Sequence, residues 1–204
     1  FKQQLDGSMR HETDLDGDGA AQFLRGCRPD QPFCLSISFN APHAEDADPK
    51  QYFWPKAFDD LYKDVQMPVP KTADPAFFER QPDFLKHSMN RERWHWRFDT
   101  PEKAQEMTKG YYRMITGVDA VIGRLRDELA RLGLADDTVI MLLGDNGYFL
   151  GERGFADKWL MYEYSIRVPL LVHDPRAPQR QRGLVPQQMV LHIDVAETML
   201  DLAG

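Results

Sequence analysis

The stretch Thr138-Val139-Ile140-Met141-Leu142-Leu143-Gly144-Asp145-Asn146-Gly147 governs the reading of the chain. Its first six residues carry no charge and do not alternate polar with apolar. Such a run suits a strand covered on both faces, as in a parallel sheet. The run stops at Gly144, and Asp145 and Asn146 follow. In parallel α/β sheets ligands gather beyond the carboxyl ends of strands. Asp145 and Asn146 therefore stand where a site is expected. A carboxylate and an amide carbonyl are hard oxygen donors of the kind that suit calcium or magnesium. The same residues also read as a simple turn, because Asn-Gly is a strong hairpin signal.

Working outward, Phe33-Cys34-Leu35-Ser36-Ile37-Ser38-Phe39 reads as a strand that stops at Asn40-Ala41-Pro42-His43. A long helix is expected over 102–132, with Met107, Tyr111, Met114, Ile115, Val118, Val121, Ile122, Leu125 and Leu129 on one apolar face. Pro101 and Gly133 punctuate its ends. A weaker strand, 168–172, has Pro169 near its start, and a final helix is expected over 192–203. The order strand, helix, strand, strand, helix predicts an α/β sandwich with a mostly parallel central sheet flanked by helices. Residues 44–100 read as a long irregular insertion with short helices near 56–63 and 76–88, the kind of loop that is usually functional. Residues 1–18 read as polar and loop-like, followed by a short helix over 20–24.

The chain has 204 residues, and 25 Lys and Arg against 32 Asp and Glu give a net charge of −7. That balance argues against an electrostatic nucleic-acid binder. No apolar run approaches the roughly 20 residues that span a bilayer. Two cysteines, Cys27 and Cys34, make neither a disulfide framework nor a Cys-rich zinc site. They could pair in an oxidising compartment, but Cys34 reads more simply as a buried thiol. The chain starts at Phe1 rather than Met and shows no signal-peptide pattern, so it is read as an excerpt of a longer protein.

Other candidates come one at a time. Lys158 follows Asp145 in a loop with Gly151, Glu152, Arg153 and Gly154, where it could face an anion held on a metal. Taken singly, Lys158 is more often a solvated charge and His43 a surface or packing histidine. Asp14-x-Asp16-x-Asp18-Gly19 has the opening of an EF-hand loop, but its twelfth position is Arg25, so it reads as a polar turn. Arg91-Glu92-Arg93-Trp94-His95-Trp96-Arg97-Phe98 could stack on sugars or grip a sulfated glycan; an ordinary stretch with Trp packed inward is the favoured alternative.

The blocks Gly144–Glu152, Asp157-Lys158-Trp159-Leu160-Met161-Tyr162-Glu163 and Ser165–Leu170 strongly resemble the type I sulfatases, the formylglycine-dependent branch of the alkaline phosphatase superfamily. Ser38-Phe39-Asn40-Ala41-Pro42-His43, the helix Tyr111–Leu132 and His192-Ile193-Asp194 are similar to three further blocks of that family, in the same order. The pattern looks nearest to bacterial members similar to N-acetylglucosamine-6-sulfatases. The resemblance implies the later part of a catalytic domain that cleaves a sulfate ester, expected to be that of a carbohydrate. It implies Asp145 and Asn146 as two ligands of a single calcium. It implies Lys158 and His43 as sulfate contacts, with His43 also a candidate proton donor to the departing alcohol. Arg153 stands where many relatives have His and can still grip an anion.

The family's nucleophile, a formylglycine made in a Cys-x-Pro-x-Arg or Ser-x-Pro-x-Arg motif, belongs upstream of the Ala-Pro-His block. Two further calcium ligands belong upstream as well, and a C-terminal subdomain is also expected elsewhere. Cys27-Arg28-Pro29-Asp30-Gln31 has Gln31 at the Arg position and is read as a false match. The chain alone is thus expected to hold half a calcium site and to be inactive. A parent in the periplasm or outside the cell is expected. The alternatives are a phosphoester or phosphonate hydrolase of the same superfamily, and a noncatalytic module that binds sulfated glycans.

Overall fold

The computed structural model describes residues 1–28 and 30–204. Pro29, in the middle of the false Cys-x-Pro match, lies outside them. Among the described residues the helices are α1 (Glu12–Gly26), α2 (Pro75–Glu79), α3 (Asp83–Lys86), α4 (Met89–Arg97), α5 (Pro101–Arg131), α6 (Glu163–Ile166) and α7 (Ile193–Ala203). The strands are β1 (Lys2–Gln3), β2 (Met9–Arg10), β3 (Ile140–Leu143), β4 (Phe149–Leu150), β5 (Ala156–Asp157) and β6 (Leu170–His173). The fold is mixed α/β.

Helix α5 is the axis of the molecule. Thr100 caps it by accepting a hydrogen bond from the Lys103 N–H, and Pro101 fills its first turn, where no donor is needed. The face expected from sequence is buried at Met107, Met114, Val121, Leu125 and Leu129, although Ile115 points to solvent. The amino-terminal half packs with Ala41, Ala44, Tyr52, Phe98 and Ala156. The carboxyl-terminal half packs with Ala20, Leu24 and Leu134, and against Phe33, Leu35, Ile37 and Phe39.

Helix α1 corrects the expectation of a polar loop before residue 20. His11 Nδ1 accepts from the Thr13 N–H and starts the helix, while Asp14 and Asp18 pair with Arg124 of α5. The aspartates of the EF-hand-like stretch are thus helix surface. Gly17 belongs there because a Cβ would lie 2.6 Å from Val121 Cγ1, so the two helices touch only without a side chain.

The expected mostly parallel sheet is not what the described residues form. Their three strand pairs, β1–β2, β3–β6 and β4–β5, are all antiparallel. The reason is connectivity. The chain leaves β3 at Gly144 and re-enters β6 beside it, with the Gly144 N–H donating to the Pro169 carbonyl at 3.3 Å. Strands whose exit and entry adjoin must run in opposite directions. An apolar run does not encode the direction of its neighbour. Nor is β3 covered on both faces: Leu142 and Leu143, like the whole of β6, remain exposed.

The stretch 33–39 joins no ladder among the described residues. It nevertheless alternates, with half-buried Phe33, Leu35, Ile37 and Phe39 facing the core and Cys34, Ser36 and Ser38 exposed. That alternation overturns the buried reading of Cys34; both cysteines are free. The expected helix at 76–88 is two short helices interrupted at Gln81 and Pro82, and α4 was not expected at all.

Candidate active site

The candidate residues Asp145, Asn146, Arg153 and Lys158 all lie on the excursion between β3 and β6. Its first turn is fixed from two sides. The His192 Nε2–H donates to the Gly144 carbonyl at 2.7 Å. The Gly147 N–H donates to the Ser165 carbonyl at 2.8 Å, so the turn lies flat on α6. A Cβ at position 147 would sit 2.2 Å from the Tyr164 oxygen, which admits only glycine.

The oxygen atoms at this turn are oriented. Asp145 Oδ1 accepts from the Asn146 N–H at 2.9 Å, and Oδ2 has no donor among the described residues. The Asn146 amide nitrogen donates to the Gly147 carbonyl at 2.8 Å, which turns its oxygen the other way. Two adjacent hard oxygens are thus available, a donor set that fits part of a calcium shell. Calcium takes six to eight oxygens. Among the described residues no group of three or more His, Cys, Asp and Glu is arranged to hold a metal.

Lys158 is placed by α4. The Asn90 side-chain amide donates to the carbonyls of Ala156 at 2.8 Å and Lys158 at 2.5 Å. Arg93 and Arg97, at helical spacing on the same side, both donate to Asp157 Oδ2, at 2.6 and 3.2 Å. Both guanidinium groups also pair with Asp46. Arg97 is fully buried and Asp157 nearly so, a closed group of two cations and two anions. Asp157 itself has φ +74°, in the left-handed region.

The same group ties in the segment that carries His43. Ala41 and Ala44 share a core cluster with Ala156, and Asp46 shares both arginines with Asp157. His43 is exposed, and its Nδ1 lies 2.7 Å from the Ala44 carbonyl. A carbonyl only accepts, so Nδ1 carries the proton and Nε2 is the free nitrogen.

Behind the turn, Tyr148 is pinned by a 2.9 Å hydroxyl contact to Tyr52 and by stacking on Tyr111. Burial raises the Tyr111 hydroxyl to about 12 and pushes Tyr148 upward too, so both rings are neutral struts.

Asn146 and Lys158 come together as lining of one open cavity of about 280 Å³, with Trp159, Leu160, Met161, Ser165 and Ile166. His43 and Arg153 do not line it. The Arg153 guanidinium instead stands 5.2 Å from the Tyr162 ring and 5.7 Å from the Phe77 ring. The sugar-stacking alternative for 91–98 fails for its basic residues: Arg91 lies over Phe78 and Trp94, and Arg93 and Arg97 point into the ion group. Sequence reasoning missed this clamp, although Asn90, Arg93 and Arg97 stand at i, i+3 and i+7.

The sulfatase family model matches residues 7–204. The chain belongs to the sulfatase family. This sulfatase chain is 33% identical over 178 residues to the choline-sulfatase of Rhizobium meliloti, covering 85% of this chain and 32% of that protein. It is 32% identical over 145 residues to the N-acetylglucosamine-6-O-sulfatase of Bacteroides thetaiotaomicron, covering 71% of this chain and 25% of that protein. The sulfatase chain therefore spans about a third or less of the length of these curated relatives. Its fold is similar to that of BT4656, solved in complex with its substrate D-glucosamine-2-N,6-O-disulfate, with a TM-score of 0.63 and 22% identity over 83% of this chain and 44% of that one. No helix among the described residues is long and apolar enough to cross a membrane.

Proposed function

We propose that this chain is the later part of a sulfatase catalytic domain, cleaving a sulfate ester of a carbohydrate. The observation that carries the reading is that Asn146 and Lys158, far apart in the loop, line one cavity at the end of β3. Membership of the sulfatase family and the likeness to an N-acetylglucosamine-6-O-sulfatase support it.

A sulfate ester is a compact anion. Lys158 would hold a fixed positive charge against its oxygens, where transition-state charge collects. Asp145 and Asn146 would hold calcium through the two oxygens left free. Bound there, the ion would supply further positive charge to the same sulfate. Completing six to eight ligands would take further donors, which the resemblance to sulfatases assigns, like the formylglycine, to a segment upstream of the Ala-Pro-His block. The free Nε2 of His43, once protonated, suits donation to the leaving oxygen. Arg153, with its guanidinium beside the Phe77 and Tyr162 rings, would be a further grip on an anionic substrate.

The test is release of inorganic sulfate from glucosamine 6-sulfate by the full-length protein in calcium. Turnover that falls by at least about a hundredfold in Lys158→Ala supports the reading, since lost electrostatic contacts cost that order. Unchanged turnover in that variant contradicts it. The 204-residue chain alone is expected to release no sulfate.

A further inference from the structure

The cavity that holds Asn146 and Lys158 has a second, apolar wall made by Trp159, Leu160, Met161 and Ile166. Trp159 is 57% exposed although it is the bulkiest side chain there. Its φ is +78°, a left-handed conformation that bulky residues rarely take. Such strain persists where the surroundings hold it in place and gathers at ligand sites. Here the Arg93 guanidinium lies 4.4 Å from the indole centroid, and Arg93 is itself fixed by Asp46 and Asp157. The ring is therefore backed, exposed and adjacent to the lysine.

We infer that Trp159 is the platform on which the pyranose ring bearing the sulfate ester stacks, making it a specificity-determining residue of this site. The inference rests on the reading of Lys158 as the sulfate contact. A pyranose presents a face of C–H groups that packs on an aromatic surface, while its sulfate extends toward the ammonium group. The cavity, about 280 Å³, is open and falls just below the usual range of small-molecule pockets. The indole already serves one cation, Arg93, which lowers its attraction for a second such as a trimethylammonium head. A neutral ring carries no such penalty.

The test uses the full-length protein, with KM for glucosamine 6-sulfate, KM for choline sulfate and the inhibition constant of inorganic sulfate. Trp159→Gly removes the platform and suits φ +78°, so the fold is kept. It is expected to raise KM for the sugar about tenfold while leaving sulfate inhibition within about twofold, and Trp159→Phe restores most of the loss. An unchanged sugar KM, a parallel rise in the sulfate constant, or a larger penalty on choline sulfate overturns the platform. If Lys158→Ala leaves sulfate inhibition unchanged, the sulfate reading itself falls, and the platform with it.

Discussion

The side-chain amide of Asn90 holds the main-chain carbonyl of Lys158 at 2.5 Å, and the same nitrogen holds that of Ala156 at 2.8 Å. One buried amide on α4 therefore brackets Asp157 and sets the course of the chain on which Lys158 stands. A helix in the segment read as an irregular insertion thus governs the placement of the candidate sulfate contact.

Asn90→Ala removes that bracket. An unsatisfied buried acceptor costs about 1–3 kcal/mol, so a fall in Tm of several degrees is expected. Calorimetry reads the stability. The accompanying loss of kcat/KM should appear with intact calcium dependence, because Asp145 and Asn146 are held from α6 and His192 instead.

Arg97→Met breaks the ion group from its most buried member. Removing one partner of a buried pair costs about 3–5 kcal/mol, against about 0–1 for a surface pair such as Arg28–Asp30. Urea denaturation of Arg97→Met and Arg28→Met tests the contrast. Equal midpoints would show that the group contributes nothing.

Glu152 provides a pH signature. Burial raises its carboxyl above the usual value, outweighing the hydrogen bond from the Leu150 N–H. An acid whose folded pKa is raised contributes stability below its unfolded pKa near 4.5 that is lost as pH rises through the folded value. Wild-type stability should therefore fall across that window, and Glu152→Gln, which keeps an acceptor for Leu150, should flatten the profile. A fall of the same size in both proteins would refute the assignment.

Much of this was legible in the sequence, for identifiable reasons. The α5 face follows from its period, and the turn that carries Asp145 and Asn146 follows from an apolar run that stops at Gly144; the candidate role of Lys158 comes only from the resemblance to sulfatases. Strand direction was not legible, because Leu142 and Leu143 would read the same in either ladder. The polar stretch Asp14–Gly19 hid a helix in which Asp14 and Asp18 pair with Arg124, more than a hundred residues away. The clamp was hidden because Arg93 and Arg97, mixed with aromatics, look like a surface patch until Asp46 and Asp157 are brought beside them.

Gly147→Ala tests the floor under the two candidate calcium ligands, Asp145 and Asn146. The added methyl would meet the Tyr164 and Arg167 carbonyls at 2.2 and 2.8 Å, so the turn must lift from α6. Overpacking of this kind costs about 1–3 kcal/mol. The rise of Tm with added calcium in the full-length protein should shrink sharply in this variant.

The most direct measurement is a crystal structure of the full-length protein with calcium and sulfate, with the metal located by anomalous scattering. The account predicts one calcium about 2.3–2.6 Å from side-chain oxygens of Asp145 and Asn146, and a sulfate touching the Lys158 ammonium. A calcium bound elsewhere, or a sulfate out of reach of Lys158, would contradict it.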